Sequence, residues 1–276
     1  MEWLNEAVQS VLLQTYTDFE IILVDDGSTE PLEQYIEIND DRIRLFQPGK
    51  IGRSAARNLG IQSGRCNYIA FLDSDDLFHP NKLENQVKAM DAHPGIMLSH
   101  TSYTRVDAVG RFLEDVESGS FSGMVYPGAY LNCPIHPSTA MVRAVVFSEG
   151  LLFPEQIDFG EDTIVWMEIL KKSDIIGIPE SLSKIRIHGE NCFFNFRQFA
   201  EGLNNIADHI YGDKDLTSES RKHLLSSTYA NISALYSENG KRLKAKSYSL
   251  LSWIVGHLSF YSFLLAVRRI LWRRLR

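Results

Sequence analysis

Residues 67–76 read Asn67-Tyr68-Ile69-Ala70-Phe71-Leu72-Asp73-Ser74-Asp75-Asp76. Asn67 to Leu72 predicts a strand, being short, apolar and flanked by polar residues. It runs directly into Asp73, Asp75 and Asp76. An upstream stretch repeats the pattern: Phe19 to Val24 predicts a buried strand, and Asp25-Asp26-Gly27-Ser28-Thr29 follows it. Ligands of α/β sheets collect beyond the carboxyl ends of strands. Carboxylates crowded at two such ends repel one another unless a cation or hydrogen-bond donors offset them. Oxygen ligands without a nearby cysteine suit Mg²⁺ or Mn²⁺, which share their remaining positions with phosphates. Each cluster alone also reads as an ordinary turn or a solvated loop. An EF-hand is excluded, because Leu77 and Phe78 occupy its fifth position and its glycine position.

Outward from these strands, helices alternate with strands. Apolar spacing predicts a helix over 3–14, and Arg42 to Phe46 predicts a strand. Helices are expected over 52–62 and 80–92, and a strand near 96–103. Residues 104–137 are Gly- and Ser-rich and read as irregular. A strand at 138–143, a helix at 160–172 and strands near 174–178 and 183–188 follow, and the pattern from 197 onward is helical. This order argues for an α/β fold with a largely parallel sheet. No internal repeat is visible, and the boundary near 195 is soft. Between the two acidic clusters lies Gly49-Lys50-Ile51-Gly52-Arg53-Ser54-Ala55-Ala56-Arg57-Asn58-Leu59-Gly60, a glycine-containing helix entry with three basic side chains. Such a segment can meet a diphosphate. It is neither a Walker A loop nor a Rossmann fingerprint.

The order of these pieces resembles the family 2 glycosyltransferases of the GT-A fold. The pieces are Asp25-Asp26-Gly27-Ser28, the Ala56-Arg57-Asn58 helix and Leu72-Asp73-Ser74-Asp75-Asp76. Two further pieces continue the likeness: Phe159-Gly160-Glu161-Asp162-Thr163-Ile164-Val165-Trp166, and Ile185-Arg186-Ile187-His188-Gly189-Glu190-Asn191. The likeness covers about residues 1–195. It implies a GT-A-like, mixed but mostly parallel sheet flanked by helices, with a nucleotide-binding half over 1–103 and an acceptor half over 104–195. Asp25 and Asp26 would lie at the nucleoside, Arg57 near the pyrophosphate, and Asp73 at the ribose. Asp73 and Asp75 would hold Mn²⁺ or Mg²⁺, with His188 as a further candidate ligand. Asp162 would be the general base, and Glu161 and Trp166 would line the acceptor side. A core role for Trp166, a helix-terminal role for Asp162 and a satisfied strand-end role for His188 are the alternatives. Cys133 and His136 flank Pro134 in a loop that could also face the acceptor. The family usually opens with an apolar strand running into a Pro-x-Tyr-Asn-like turn, which is absent ahead of helix 3–14. A start assigned too far downstream is the expected cause, with truncation and a degenerate copy as alternatives.

The 276 residues are 44% hydrophobic and 23% charged, an ordinary globular composition that excludes disordered and fibrous classes. Cys66, Cys133 and Cys192 lie far apart, which excludes a disulfide grid or a zinc ribbon and suits a reducing cytoplasm. The opening Met1-Glu2-Trp3-Leu4-Asn5-Glu6 is acidic and lacks the apolar core of a signal peptide. The formal charge of −7 hides a split. Residues 241–276 hold nine Lys and Arg and no acid, leaving 19 bases against 35 acids before them. An acidic body is a poor general partner for nucleic acid.

Residues 247–267 carry no formal charge, and five arginines follow, from Arg268 to Arg276. Ser249, Ser252, Gly256, Ser259 and Arg269 share one helical stripe. We read 196–276 as a helical region whose tail, 247–276, lies on an anionic membrane surface at the cytoplasmic face. A single C-terminal span and a buried core helix are the alternatives. The expected activity is metal-dependent, inverting transfer of a sugar from a nucleotide-sugar donor, most simply a UDP-sugar, to a glycan or lipid-linked acceptor. That chemistry suits cell-surface polysaccharide assembly. Two rivals are a sugar nucleotidyltransferase, which would want a Gly-rich, basic loop after its first strand, and a non-catalytic membrane scaffold.

Overall fold

A computed structural model of the chain describes residues 2–32, 40–189 and 195–257. Contacts divide it into two compact units. One comprises Met1–Val125, Pro134–Asp158 and Val165–Gly189. The other comprises Tyr126–Cys133, Phe159–Ile164 and Glu190–Arg276.

The first unit opens with helix α1 (Glu2–Leu12), followed by strands β1 (Ile21–Val24) and β2 (Ile43–Phe46). These strands pair in parallel, Ile21 against Ile43 and Val24 against Phe46. The run Ile-Ile-Leu-Val is apolar at every position because β1 is covered on both faces. Ile21 and Leu23 pack with Leu4, Val8 and Leu12 of α1. Ile22 and Val24 approach helix α2 (Arg53–Ser63), where a Cβ on Gly60 would stand 3.7 Å from Val24 and 3.9 Å from Ile22.

Strands β3 (Tyr68–Ala70) and β4 (Leu77–Phe78), helix α3 (Lys82–Asp91) and strands β5 (Leu98–Asp107) and β6 (Phe112–Val116) follow. Next come β7 (Met141–Arg143), the single-turn helix α4 (Val145–Ser148), α5 (Glu161–Leu170) and β8 (Ile175–Ile187). The larger sheet runs β3-β7-β5-β8-β4, with β6 beside β5. The sheet is mixed, as expected, but not mostly parallel among the described residues. Only β1–β2 and β5–β8 run parallel; β3–β7, β4–β8, β5–β6 and β5–β7 are antiparallel.

The reason lies in pieces too short or too exposed to show a period. Strand β4 has two residues, and β7, expected over 138–143, has three, too few for a pattern to tell its direction. Strand β6 falls within the stretch expected to be irregular, and it exposes Phe112 and Leu113. It forms because Asp107 Oδ1 accepts from the backbone N–H groups of Val109 and Arg111, closing a hairpin turn. The two strands expected at 174–178 and 183–188 are one. Thr101 pairs with Ile178 and Ser102 with Ser181, so Pro179 falls in a bulge and its missing N–H interrupts no ladder.

In the second unit, helices α6 (Phe196–Gly212), α7 (Ser218–Glu238) and α8 (Arg242–His257) pack together. Asn195 and Thr217 accept backbone N–H groups at the starts of α6 and α7. Helix α8 turns Ala245, Tyr248, Leu251 and Val255 inward. Two members of the expected polar stripe lie against α7. Ser226 Oγ donates to the Ser252 carbonyl at 3.0 Å, and a Cβ on Gly256 would stand 3.2 Å from Ser226 Oγ. Small residues suit close helix packing, so Ser252 and Gly256 approach α7 although Gly256 stays exposed, and Leu243, Leu250 and Trp253 are exposed as well. No described helix is long and apolar enough to cross a membrane. The remainder of the expected membrane tail, 258–276, lies outside the described residues.

Candidate active site

The chain after β3 gathers its three carboxylates. Beneath it, Phe71 packs edge-on against Phe147, Phe153 and Trp166. Arg57 of α2 donates to Asp73 Oδ1 at 3.1 Å, and its guanidinium lies 5.4 Å from the centre of the Phe153 ring. The next residue completes the motif: Asn58 donates to the Phe153 carbonyl at 2.9 Å and accepts its N–H at 2.8 Å. Ala-Arg-Asn thus ties α2 to the acidic loop with one side chain and to the aromatic floor with the next. Burial pushes the Asp73 carboxyl up, but the charges of Arg57, His136 and Arg53 outweigh it and hold it below its usual value.

Asp75 presents its carboxylate to His188, with Nε2 2.8 Å from Oδ2. The His188 ring lies 4.6 Å from the Trp3 ring. Asp76 is different. It is 2% exposed, and both its oxygens accept bonds from within the fold. Ser138 Oγ donates to Oδ2 at 2.6 Å, and the Arg186 backbone N–H donates to Oδ1 at 2.9 Å. Ser138 Oγ also accepts the Asp73 N–H, so one hydroxyl joins two members of the cluster. Burial, then the charges of Asp73 and Asp75, push the Asp76 carboxyl well above its usual range.

His136 stands at the same place. Its Nδ1 lies 3.7 Å from Asp76 Oδ2. Ligand atoms of Asp73, Asp76 and His136 lie within 4.8 Å of one another. Carboxylate and imidazole donors without a thiolate fit a divalent ion such as Mn²⁺. The sequence reading placed His136 in an acceptor loop; the structure brings it to the acidic loop. His136 was hard to assign because it lies about 60 residues from the carboxylates, in a stretch without periodicity.

The turn after β1 is more open. Asp25 Oδ1 accepts the Ser28 N–H at 2.8 Å. Gly27 occupies φ +81°, and a Cβ there would stand 3.0 Å from Lys50, so the turn suits glycine alone. Asp26 Oδ1 accepts the N–H groups of Ile51 and Gly52, both at 2.7 Å, and Oδ2 pairs with Lys50 at 2.8 Å. Burial raises the Asp26 carboxyl, but these donors prevail and it lies below its usual value. Lys50 is 77% exposed, yet it reaches Asp26.

Glu161 and Asp162 open helix α5, where carboxylates suit the positive end of the helix. Asp162 Oδ1 accepts the Thr163 N–H at 2.7 Å. Glu161 is buried. Trp166 is fully buried against Phe71 and Phe153, which corrects its expected place on the acceptor side. An aromatic core under the β3 end demands a large apolar side chain there. The expected segment after β8 extends past Gly189, and its Glu190 and Asn191 lie outside the described residues.

Residues 2–149 match the family described as Glycosyl transferase family 2. The chain belongs to this family. An uncharacterized glycosyltransferase of Rickettsia felis is 44% identical over 220 residues, covering 79% of this chain and 36% of that protein. The chain spans about a third of the length of the first such relatives it matches. The UDP-Glc:alpha-D-GlcNAc-diphosphoundecaprenol beta-1,3-glucosyltransferase WfgD of Escherichia coli is 31% identical over 182 residues, 63% of this chain and 67% of WfgD. The crystal structure of S. aureus TarS 1-349 in complex with UDP-GlcNAc superposes with a TM-score of 0.67 at 19% identity, covering 92% of this chain and 75% of TarS 1-349. The mannosyltransferase PcManGT of Pyrobaculum calidifontis, in complex with GDP-Man and Mn²⁺, gives 0.63 at 17% identity, covering 98% and 76%. The fold of this family 2 member is therefore the GT-A type.

Proposed function

We propose that this chain transfers a sugar from a nucleotide-sugar donor, a UDP-sugar, to a glycan or lipid-linked acceptor in one inverting step. The observation that carries this reading is the loop after β3, where Asp73, Asp75 and Asp76 meet Arg57, His136 and His188. Arg57 neutralises part of the diphosphate charge, and Asp25, Asp26 and Asp73 address the nucleoside. The UDP-Glc in the name of WfgD and the UDP-GlcNAc in the TarS complex support the choice of donor.

Burial selects the metal ligands. Asp76 is buried with both oxygens committed, whereas Asp75 keeps Oδ1 clear of hydrogen bonds among the described residues. Asp73 and Asp75 are therefore our ligands for Mn²⁺ or Mg²⁺, with His188 steadying Asp75. The Mn²⁺ of the PcManGT complex supports the same class of ion. Such an ion, when bound, offsets charge growing on the departing diphosphate.

Asp162 is our general base. A sugar hydroxyl is a poor nucleophile at neutral pH and needs a carboxylate to take its proton. Its oxygen then bonds to the anomeric carbon as the bond from that carbon to the diphosphate oxygen breaks, which inverts the configuration. We place the protein at the cytoplasmic face of an anionic membrane, working on cell-surface polysaccharide. Exposed Leu243, Leu250 and Trp253 on α8, among Lys241, Arg242 and Lys246, support this placement.

The test is a panel of nucleotide sugars with Mn²⁺, scored for binding and hydrolysis. One donor should turn over, and Asp162→Asn should lower turnover by about 10²–10⁴-fold while sparing nucleotide binding. Loss of nucleotide binding in that variant would remove Asp162 as the base.

A further inference from the structure

Arg186 is 2% exposed, and its three guanidinium nitrogens have three separate acceptors. Nε donates to the Asp75 carbonyl at 2.9 Å. Nη1 donates to the Ala108 carbonyl at 3.1 Å, in the turn between β5 and β6. Nη2 meets Glu6 Oε2 of α1 at 2.6 Å. The guanidinium also lies 5.3 Å from the centre of the Trp3 ring. The backbone N–H of Arg186 holds Asp76, and His188, two residues on, holds the Asp75 carboxylate. Arg186 lies at the end of β8 and His188 just past it, so the chain leaving β8 presents both grips to one loop.

We propose that Arg186 is the positioning residue of the acidic loop, fixing the Asp75 peptide so that the Asp75 carboxylate meets the divalent ion at a set place. His188 orients the carboxylate, and Arg186 orients the backbone that carries it. A buried guanidinium is costly unless its donors are satisfied. Here the carboxylate of Glu6 balances the charge, leaving the other two arms to hold carbonyls. Lysine cannot replace this fork, since an ammonium is a point charge on a flexible stem. The role rests on Asp75 holding the ion, as proposed above.

The experiment is a titration of the full chain with Mn²⁺, alone and with saturating UDP. Free Mn²⁺ is followed by its electron paramagnetic resonance signal, and thermal unfolding is recorded in parallel. Arg186→Lys should weaken Mn²⁺ binding about tenfold or more, the usual effect of disturbing groups that orient metal ligands. Glu6→Gln should weaken it less but by more than about twofold, because the guanidinium then loses its charged anchor and keeps its carbonyls. A purely structural arginine would lower the melting temperature and leave the Mn²⁺ affinity of the folded protein unchanged. If Arg186→Lys does not fold, Glu6→Gln decides alone.

Asp75→Ala separates this proposal from the metal assignment. Loss of Mn²⁺ binding in Asp75→Ala, with binding within about twofold of wild type in every folded Arg186 and Glu6 variant, overturns the positioning role alone. Unchanged binding in Asp75→Ala, or no Mn²⁺ uptake by the wild type, overturns the metal assignment and this role with it.

Discussion

The turn after β1 and the loop after β3 both carry aspartates where a strand ends, yet they are built for different work. At β1, Asp26 gives its carboxylate to two backbone N–H groups and an exposed lysine, so besides its proposed place at the nucleoside it secures the entry to α2. At β3, one aspartate is buried as a prop and two stay more open, Asp73 bonded to Arg57 and Asp75 to His188. An acidic cluster is therefore not uniform in function. The buried member stabilises the arrangement, and the open members are available to a cation.

That contrast breaks most readily at Asp75. Asp75→Ala should abolish Mn²⁺-dependent nucleotide binding, measured calorimetrically with and without Mn²⁺. Asp76→Asn should retain it. The amide can accept from the Arg186 N–H and donate to Ser138 Oγ, and it removes a charge that burial disfavours. Loss of Mn²⁺ binding in Asp76→Asn, with retention in Asp75→Ala, would transfer the ion to Asp73, Asp76 and His136.

A smaller effect belongs to the β1 turn. Asp26→Ala should cost about 1 kcal/mol of stability, the usual cost of losing a carboxylate that caps backbone donors. The Lys50 pair adds little, because its lysine is mostly in water. Asp26 titrates below its usual value when folded. Its contribution is thus complete above the unfolded value near 3.8 and is lost as pH falls through the folded one. Acid unfolding curves of the wild type and the variant should converge at low pH.

Both acidic strand ends were legible in the sequence, because an apolar run stopping at aspartates is a local pattern. The partners were not. Ser138, His136 and Arg186 reach Asp76 from 60 to 110 residues away. No periodicity in one sequence reports such a meeting. Strand β4 escaped for a similar reason, since two residues carry too little pattern to compete with the loops around them, whereas β7 falls within the strand expected at 138–143. The small-residue stripe of α8 was visible, but its partner was not. Ser252 and Gly256 meet Ser226 of α7, a contact that a helical period does not report.

The effect furthest from the ion lies beneath the β3 loop, where Lys82 is fully buried. Its ammonium donates to Gln86 Oε1 and stands 4.3 Å from the centre of the Phe78 ring, while Gln86 Nε2 donates to the Thr139 carbonyl at 3.1 Å. This network ties α3 to the segment that carries Ser138, so its charge bears on the stability of the prop rather than on the ion. Burial lowers the Lys82 ammonium from 10.5 to about 7. The folded protein then holds fewer protons than the unfolded chain between those values, and stability should rise with pH across that window, by about 1 kcal/mol per pH unit. Lys82→Met keeps an unbranched apolar chain in the same space and removes the titration. Chemical denaturation at pH 7 and pH 9 should show a rise in the wild type and a flatter response in the variant. Equal rises in both would mean that Lys82 stays charged in its pocket, and the support beneath the β3 loop would then be an ionic one.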